Sequence, residues 1–200
     1  MSGERRQDNF IETCERCHGR CCYEARPPLT RHRIRLLLKH LDGRNSDAGF
    51  NVHVGRYSHP EELGDGYCVL FDRASGLCRV QPTKPETCVA GPVTFDIDWR
   101  RGVIEWYLKQ EKICPLAGTI ARDNVALARH LESAKQEILR LVEELEINEL
   151  LAVLEVEEDD TLKIGENHLP QRILEKRLRS STREDTPART PRSHTNPLGP

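Results

Sequence analysis

The chain has 200 residues, of which 37% are hydrophobic, 31% charged and 5% aromatic; that length and composition suit one domain with an extension, around a modest core. Its formal net charge of -2 gives no electrostatic case for nucleic acid as a partner. No apolar run approaches the roughly 20 residues of a membrane-spanning helix, and the first ten residues lack the apolar core of a secretory signal, so no membrane association and a cytoplasmic location are expected.

In chain order, residues 1–13 read as a polar lead-in and 14–22 as a cysteine-dense loop. Pro27-Pro28-Leu29-Thr30 prepares a helix, with Thr30 as N-cap, Ile34, Leu37, Leu38 and Leu41 on one face through Asp42, and Gly43 as its stop. Residues 44–66 are loop-rich, with one short strand at 50–54. Residues 67–71 and 77–80 read as paired strands around the turn Asp72-Arg73-Ala74-Ser75-Gly76. The clearest hairpin sets Val93, Phe95, Ile97 and Trp99 against Ile104, Trp106 and Leu108 across Arg100-Arg101-Gly102.

The period then changes. Leu127, Leu131, Ala134, Ile138, Leu141 and Leu145 form an a/d-like seam in a long helix over residues 122–156. That seam can pack on its own domain or on a second copy of the chain. Nine acids and no bases lie between Leu141 and Asp160, a solvated face on which a basic protein partner could dock. A short helix is expected at 169–179, and residues 180–200, rich in Pro, Ser, Thr and Arg, read as a disordered tail. The expected fold is α+β: a cysteine-rich, metal-organised domain with short antiparallel hairpins over 1–118, a helical extension over 119–179, and the tail.

All eight cysteines lie between Cys14 and Cys114. In a reducing compartment, clustered cysteines bind metal or do redox chemistry more often than they form disulfides. Four fall close together in Cys14-Glu-Arg-Cys17-His-Gly-Arg-Cys21-Cys22. A C-x2-C step lets one backbone turn aim two thiolates at one centre, and Gly19 permits a sharp bend before the second pair. Cys21 and Cys22 are neighbours, so in extended backbone their side chains point apart. Cys68 and Cys78 fall in the two paired strands, Cys88 follows the proline-bracketed Pro82-Thr-Lys-Pro85-Glu-Thr, and Cys114 precedes Pro115.

Structural zinc sites use paired C-x2-C steps or a cysteine pair with a histidine pair, and this chain has one such step. A dense run plus remote cysteines is the style of iron–sulfur ligation, so spacing favours a 4Fe-4S cluster, with zinc as the alternative. Cys14-x-x-Cys17-His18 also matches a haem attachment pattern, but no export signal accompanies it. His18, His53 and His59 are weaker candidates. No phosphate loop, zinc-protease pair or Ser/His/Asp order stands out, and eight thiols single out no catalytic nucleophile.

These residues resemble the YkgJ-type cysteine-cluster family, described as a zinc- or iron-chelating domain and as Fe–S-cluster-containing proteins. The resemblance rests on Cys14-x2-Cys17-x3-Cys21-Cys22 with Pro28-Leu29-Thr30; on Cys68-Val-Leu-Phe71-Asp72 with Gly76-Leu77-Cys78; on Lys84-Pro85-Glu-Thr-Cys88, where the family typically has arginine in place of Lys84; and on Cys114-Pro115. It covers about residues 10–118 and implies metal binding. One branch with a similar cluster is the flagellin lysine N-methylases. Three functions are therefore expected to compete: an iron–sulfur protein with a redox, sensing or structural role, a structural zinc module for protein interaction, and a protein lysine N-methylase-like enzyme.

Overall fold

The structure is a computed structural model that describes residues 4–42, 50–156, 158 and 160–184. It is a mixed α+β fold with antiparallel sheets, as expected. Helices α1 (Glu4–Cys17) and α2 (Arg31–Asp42) precede two hairpins, β1 (Val52–Val54) with β2 (Ser58–Pro60) and β3 (Phe71–Asp72) with β4 (Leu77–Cys78). Helix α3 (Glu86–Ala90) leads into the longer hairpin β5 (Val93–Asp98) and β6 (Val103–Lys109). Helices α4 (Pro115–Ala121), α5 (Asn124–Glu144) and α6 (Ile147–Leu154) follow, then strand β7 (Thr161–His168) and helix α7 (Gln171–Glu184). No helix among the described residues is long and apolar enough to cross a membrane.

Two apolar cores divide the chain. The smaller joins Leu37 and Leu41 of α2 to Leu29, Cys68, Leu70 and Val80. Thr30 caps α2 as expected, accepting from the Arg33 N–H at 3.0 Å. Leu38, expected on the buried face, is instead exposed. The larger core packs α4, α5, α6 and α7 on the β5–β6–β7 sheet, with Ile104, Trp106 and Leu108 buried in alternation on β6. Trp106 is fully buried and its indole N–H donates to Asn167 on β7 at 2.7 Å, which satisfies its polar edge.

Several local expectations change. The polar lead-in is helix α1: Phe10, Thr13, Cys14 and Cys17 follow i, i+3, i+4, i+7 spacing and place one stripe inward. Cys68 precedes its strand, because the β3–β4 ladder is only two residues long. The long helix is broken at Leu145–Glu146, where Glu146 and Glu149 form a capping box that starts α6. Asp123 caps α5, accepting from the N–H groups of Val125 and Ala126. Strand β7 was not expected; its sequence Thr-Leu-Lys-Ile-Gly-Glu-Asn-His alternates only weakly, and the charge pair of Lys163 with Glu105 fastens it to β6.

The seam residues Ala134, Ile138, Leu141 and Leu145 are buried in the chain's own larger core, where a second copy could reach them only by displacing it. Several acids of the 141–160 run pair within the chain: Glu143 with Arg172, Glu155 with Arg56, Glu158 with Lys109 and Asp160 with Lys112. Helix α7 runs beyond residue 180, and the rest of the expected tail, residues 185–200, lies outside the described residues, as does Gly43.

Candidate metal centre

Cys14 and Cys17 stand three residues apart in the last turn of α1, so both lie on one helical face; their step is helical rather than a loop turn. After α1, His18 and Gly19 take positive φ values of 51° and 67°, which turns the chain sharply into a 3-10 turn over Arg20–Cys22. A Cβ at Gly19 would collide with the Phe71 ring, so glycine is required by space as well as by backbone. Phe71 stacks on Tyr67 at 4.9 Å, Tyr23 meets Tyr67 edge-on at 5.4 Å, and Arg73 lies over Tyr67 at 4.6 Å. This aromatic stack pins the Cys21–Cys22 turn against the β3 region.

Backbone bonds complete the joint. The Cys68 N–H donates to the Cys22 carbonyl at 2.8 Å and the Glu24 N–H to the Gly66 carbonyl at 2.7 Å. Two thiols far apart in sequence thereby become neighbours along a short antiparallel contact. Cys21 and Cys22 lie in a 3-10 turn rather than extended backbone, and their side chains hydrogen-bond each other. Cys78 lies on β4 and Cys88 on α3, and Cys114 caps α4 with Pro115 at its first position.

All eight sulfur side chains, Cys14, Cys17, Cys21, Cys22, Cys68, Cys78, Cys88 and Cys114, line one cavity of 1360 Å³. They reach it from both cores: Cys14 and Cys114 pack against the larger, while Cys22, Cys68 and Cys78 belong to the smaller. Cys21 and Cys88 expose their surface into the cavity. All eight are free thiols. Among the described residues, no three histidine, cysteine, aspartate or glutamate side chains are gathered closely enough to hold a single ion.

The electrostatics follow from burial. Desolvation pushes the thiols of Cys14 and Cys68 up to about 11 and raises those of Cys78, Cys88 and Cys114, with neighbouring thiolates adding to the effect. At Cys114 the Ala117 and Leu116 N–H groups at the start of α4 oppose it. Cys21 and Cys22 behave as one pair: their mutual hydrogen bond eases loss of the first proton, from Cys21, and holds the second on Cys22. Cys21 acts on both sides of the cavity, because its charge is felt at Cys14 and Cys114 and at Cys22, Cys68, Cys78 and Cys88.

The donor chemistry fits a thiophilic metal: reduced sulfur from six segments of chain, facing one partly apolar space. A bound cation coordinates the thiolate form and so offsets the cost of ionising these sulfurs in low dielectric. His18 is exposed and, like His53 and His59, does not line the cavity; the latter two pair across β1–β2 with ring centroids 4.8 Å apart. Two further residues line the cavity, of which the sequence reading named Lys84 only as standing in place of an arginine and His130 not at all. His130 of α5 bonds the Ala90 carbonyl at 3.0 Å, and Lys84 stands on the cavity wall within electrostatic reach of Cys21.

The fold and this cavity define a cysteine-rich metal-chelating domain. A family model matches residues 13–115, just over half of the chain, and its description reads "Putative zinc- or iron-chelating domain". The chain belongs to this CxxCxxCC family, in agreement with the resemblance drawn from its cysteine spacing. No curated protein and no solved structure matches the chain.

Proposed function

We propose that this protein carries an iron–sulfur cluster, of the 4Fe-4S type, and works in the reducing cytoplasm. The observation that carries the reading is that all eight free cysteines line one cavity, from segments spread between Cys14 and Cys114. Two further points support it. A dense run with remote cysteines is the ligation style of iron–sulfur proteins, whereas tetrahedral zinc with bonds of about 2.3 Å needs four donors converged on one point. A cluster takes one thiolate at each iron, which suits thiols spread around a cavity wall. The cluster, when bound, supplies one-electron chemistry or a structural tie between the two cores. The chain's own part is to hold reduced thiolates, exclude bulk water with apolar walls, and supply positive charge nearby.

The test is anaerobic purification with metal and sulfide analysis. The expected protein is brown, with iron, acid-labile sulfide and visible absorbance that Cys21→Ser removes. Colourless protein with stoichiometric zinc overturns the iron–sulfur assignment and leaves the chelating domain standing.

A further inference from the structure

We infer that Lys84 is the fixed counter-charge of the thiolate centre: its ammonium group, set among the sulfurs without an acidic partner, strengthens metal binding without being a ligand. The inference rests on the metal reading above.

Lys84 ends the 3-10 turn Gln81–Thr83 and stands between Pro82 and Pro85, with φ -48° and ψ 153°. Proline restricts its own φ and the residue before it, so the backbone that aims this side chain has little freedom to lose. The side chain is half-buried and lines the cavity with the eight cysteines. The other cations on that wall are already engaged. Arg26 pairs with Glu62 at 2.7 Å, Lys109 pairs with Glu158 at 2.5 Å, and Arg20 donates to the Lys112 carbonyl. Among the described residues Lys84 has no ion pair and no side-chain hydrogen bond.

A partly buried ammonium with no acid beside it is costly unless negative charge develops near it. The groups placed to develop that charge are sulfurs. Lys84 lines the same cavity as Cys14 of α1, Cys21 of the 3-10 turn, Cys78 of β4 and Cys88 of α3, and lies within electrostatic reach of each. Lys109, tied to Glu158, is within such reach of Cys21. Lys84 is thus placed to serve sulfurs on both sides of the cavity at once. A protonated amine has no lone pair to give a metal, so its contribution is charge alone.

The experiment measures affinity for the metal the protein is purified with, iron or zinc, by chelator competition on the full chain. Wild type is compared with Lys84→Arg, Lys84→Gln and Lys84→Glu, with thermal unfolding of each as a folding control. The expected result is graded by charge: Lys84→Arg close to wild type, then about a tenfold loss for each unit of positive charge removed, shrinking at high salt. Equal affinity across the series overturns the assignment of Lys84 while leaving the metal reading intact. A loss in Lys84→Arg as large as in Lys84→Gln also overturns it, because shape rather than charge would then be responsible. Wild-type protein purified without iron or zinc overturns both the inference and the reading beneath it.

Discussion

Burial holds the thiols of Cys14 and Cys68 at about 11, against an ordinary value of 9.0, so metal-free protein keeps these sulfurs protonated at neutral pH. Between about 9 and 11 the folded chain still binds protons that an unfolded chain has released, and raising the pH therefore favours unfolding. Urea midpoints of metal-free protein should fall as pH rises above the ordinary thiol value, whereas metal-loaded protein should not show this fall. Midpoints unaffected by pH between 9 and 11 would contradict the burial of these two thiols. At this scale the sequence was informative about residue identity and silent about encounter. The cysteine spacing named every thiol now found on the cavity, but the Cys68-to-Cys22 backbone bond joins residues 46 positions apart (68 minus 22), and no local pattern encodes that. Lys84 appeared in sequence only as a substitute for an arginine; its role depends on sulfurs that the fold brings round it.

Helix α3 is only five residues long and carries Cys88, so its placement depends on neighbours. Arg33 of α2 lies buried and joins Glu86, the first residue of α3, at 3.0 Å to Glu137 of α5 at 2.7 Å. His130 of α5 meets the other end of α3 at the Ala90 carbonyl. Three helices are thereby locked around one thiol-bearing turn. Arg33→Met should destabilise the protein by about 3–5 kcal/mol, because it strands the fully buried Glu86 without its cation. Chemical unfolding gives the number, and a loss under about 1 kcal/mol would show that the ion pair is dispensable. Elements with strong periodicity were legible: α2, the β5–β6 hairpin and the α5 seam follow from spacing alone. Helix α1 was hidden because two members of its buried stripe are Cys14 and Cys17, which read as ligands before they read as apolar residues. The α5–α6 break was hidden because the apolar spacing continues through Leu145 while the backbone turns to ψ 141°.

Across the molecule, the larger core runs from Ala90 to Ile173 and draws on residues from both sides of position 118. Ile138, Leu141 and Leu150 fill the same interior as Ile104 and Trp106, and β7 supplies the third strand of the sheet. A chain ending at residue 118 would expose Ile104 and Trp106, so it should be insoluble or unfolded by circular dichroism and should retain no metal. A soluble, metal-loaded fragment would establish the first 118 residues as an independent domain instead. The sequence offered the packing of the helical segment on its own domain and missed strand β7, which is short of apolar residues and is recognised by its pairing with β6 rather than by its composition.

The Asp160 carbonyl accepts from the Gln110 N–H at 2.9 Å, and the Gln110 carbonyl accepts from the Cys114 N–H at 3.0 Å. The loop bearing the last thiol therefore leans on a part of the chain made well after it. A ribosome has polymerised every sulfur donor 46 residues (160 minus 114) before it reaches Asp160, and β7 comes later still. Completion of the metal-binding cavity thus belongs after β7 has emerged.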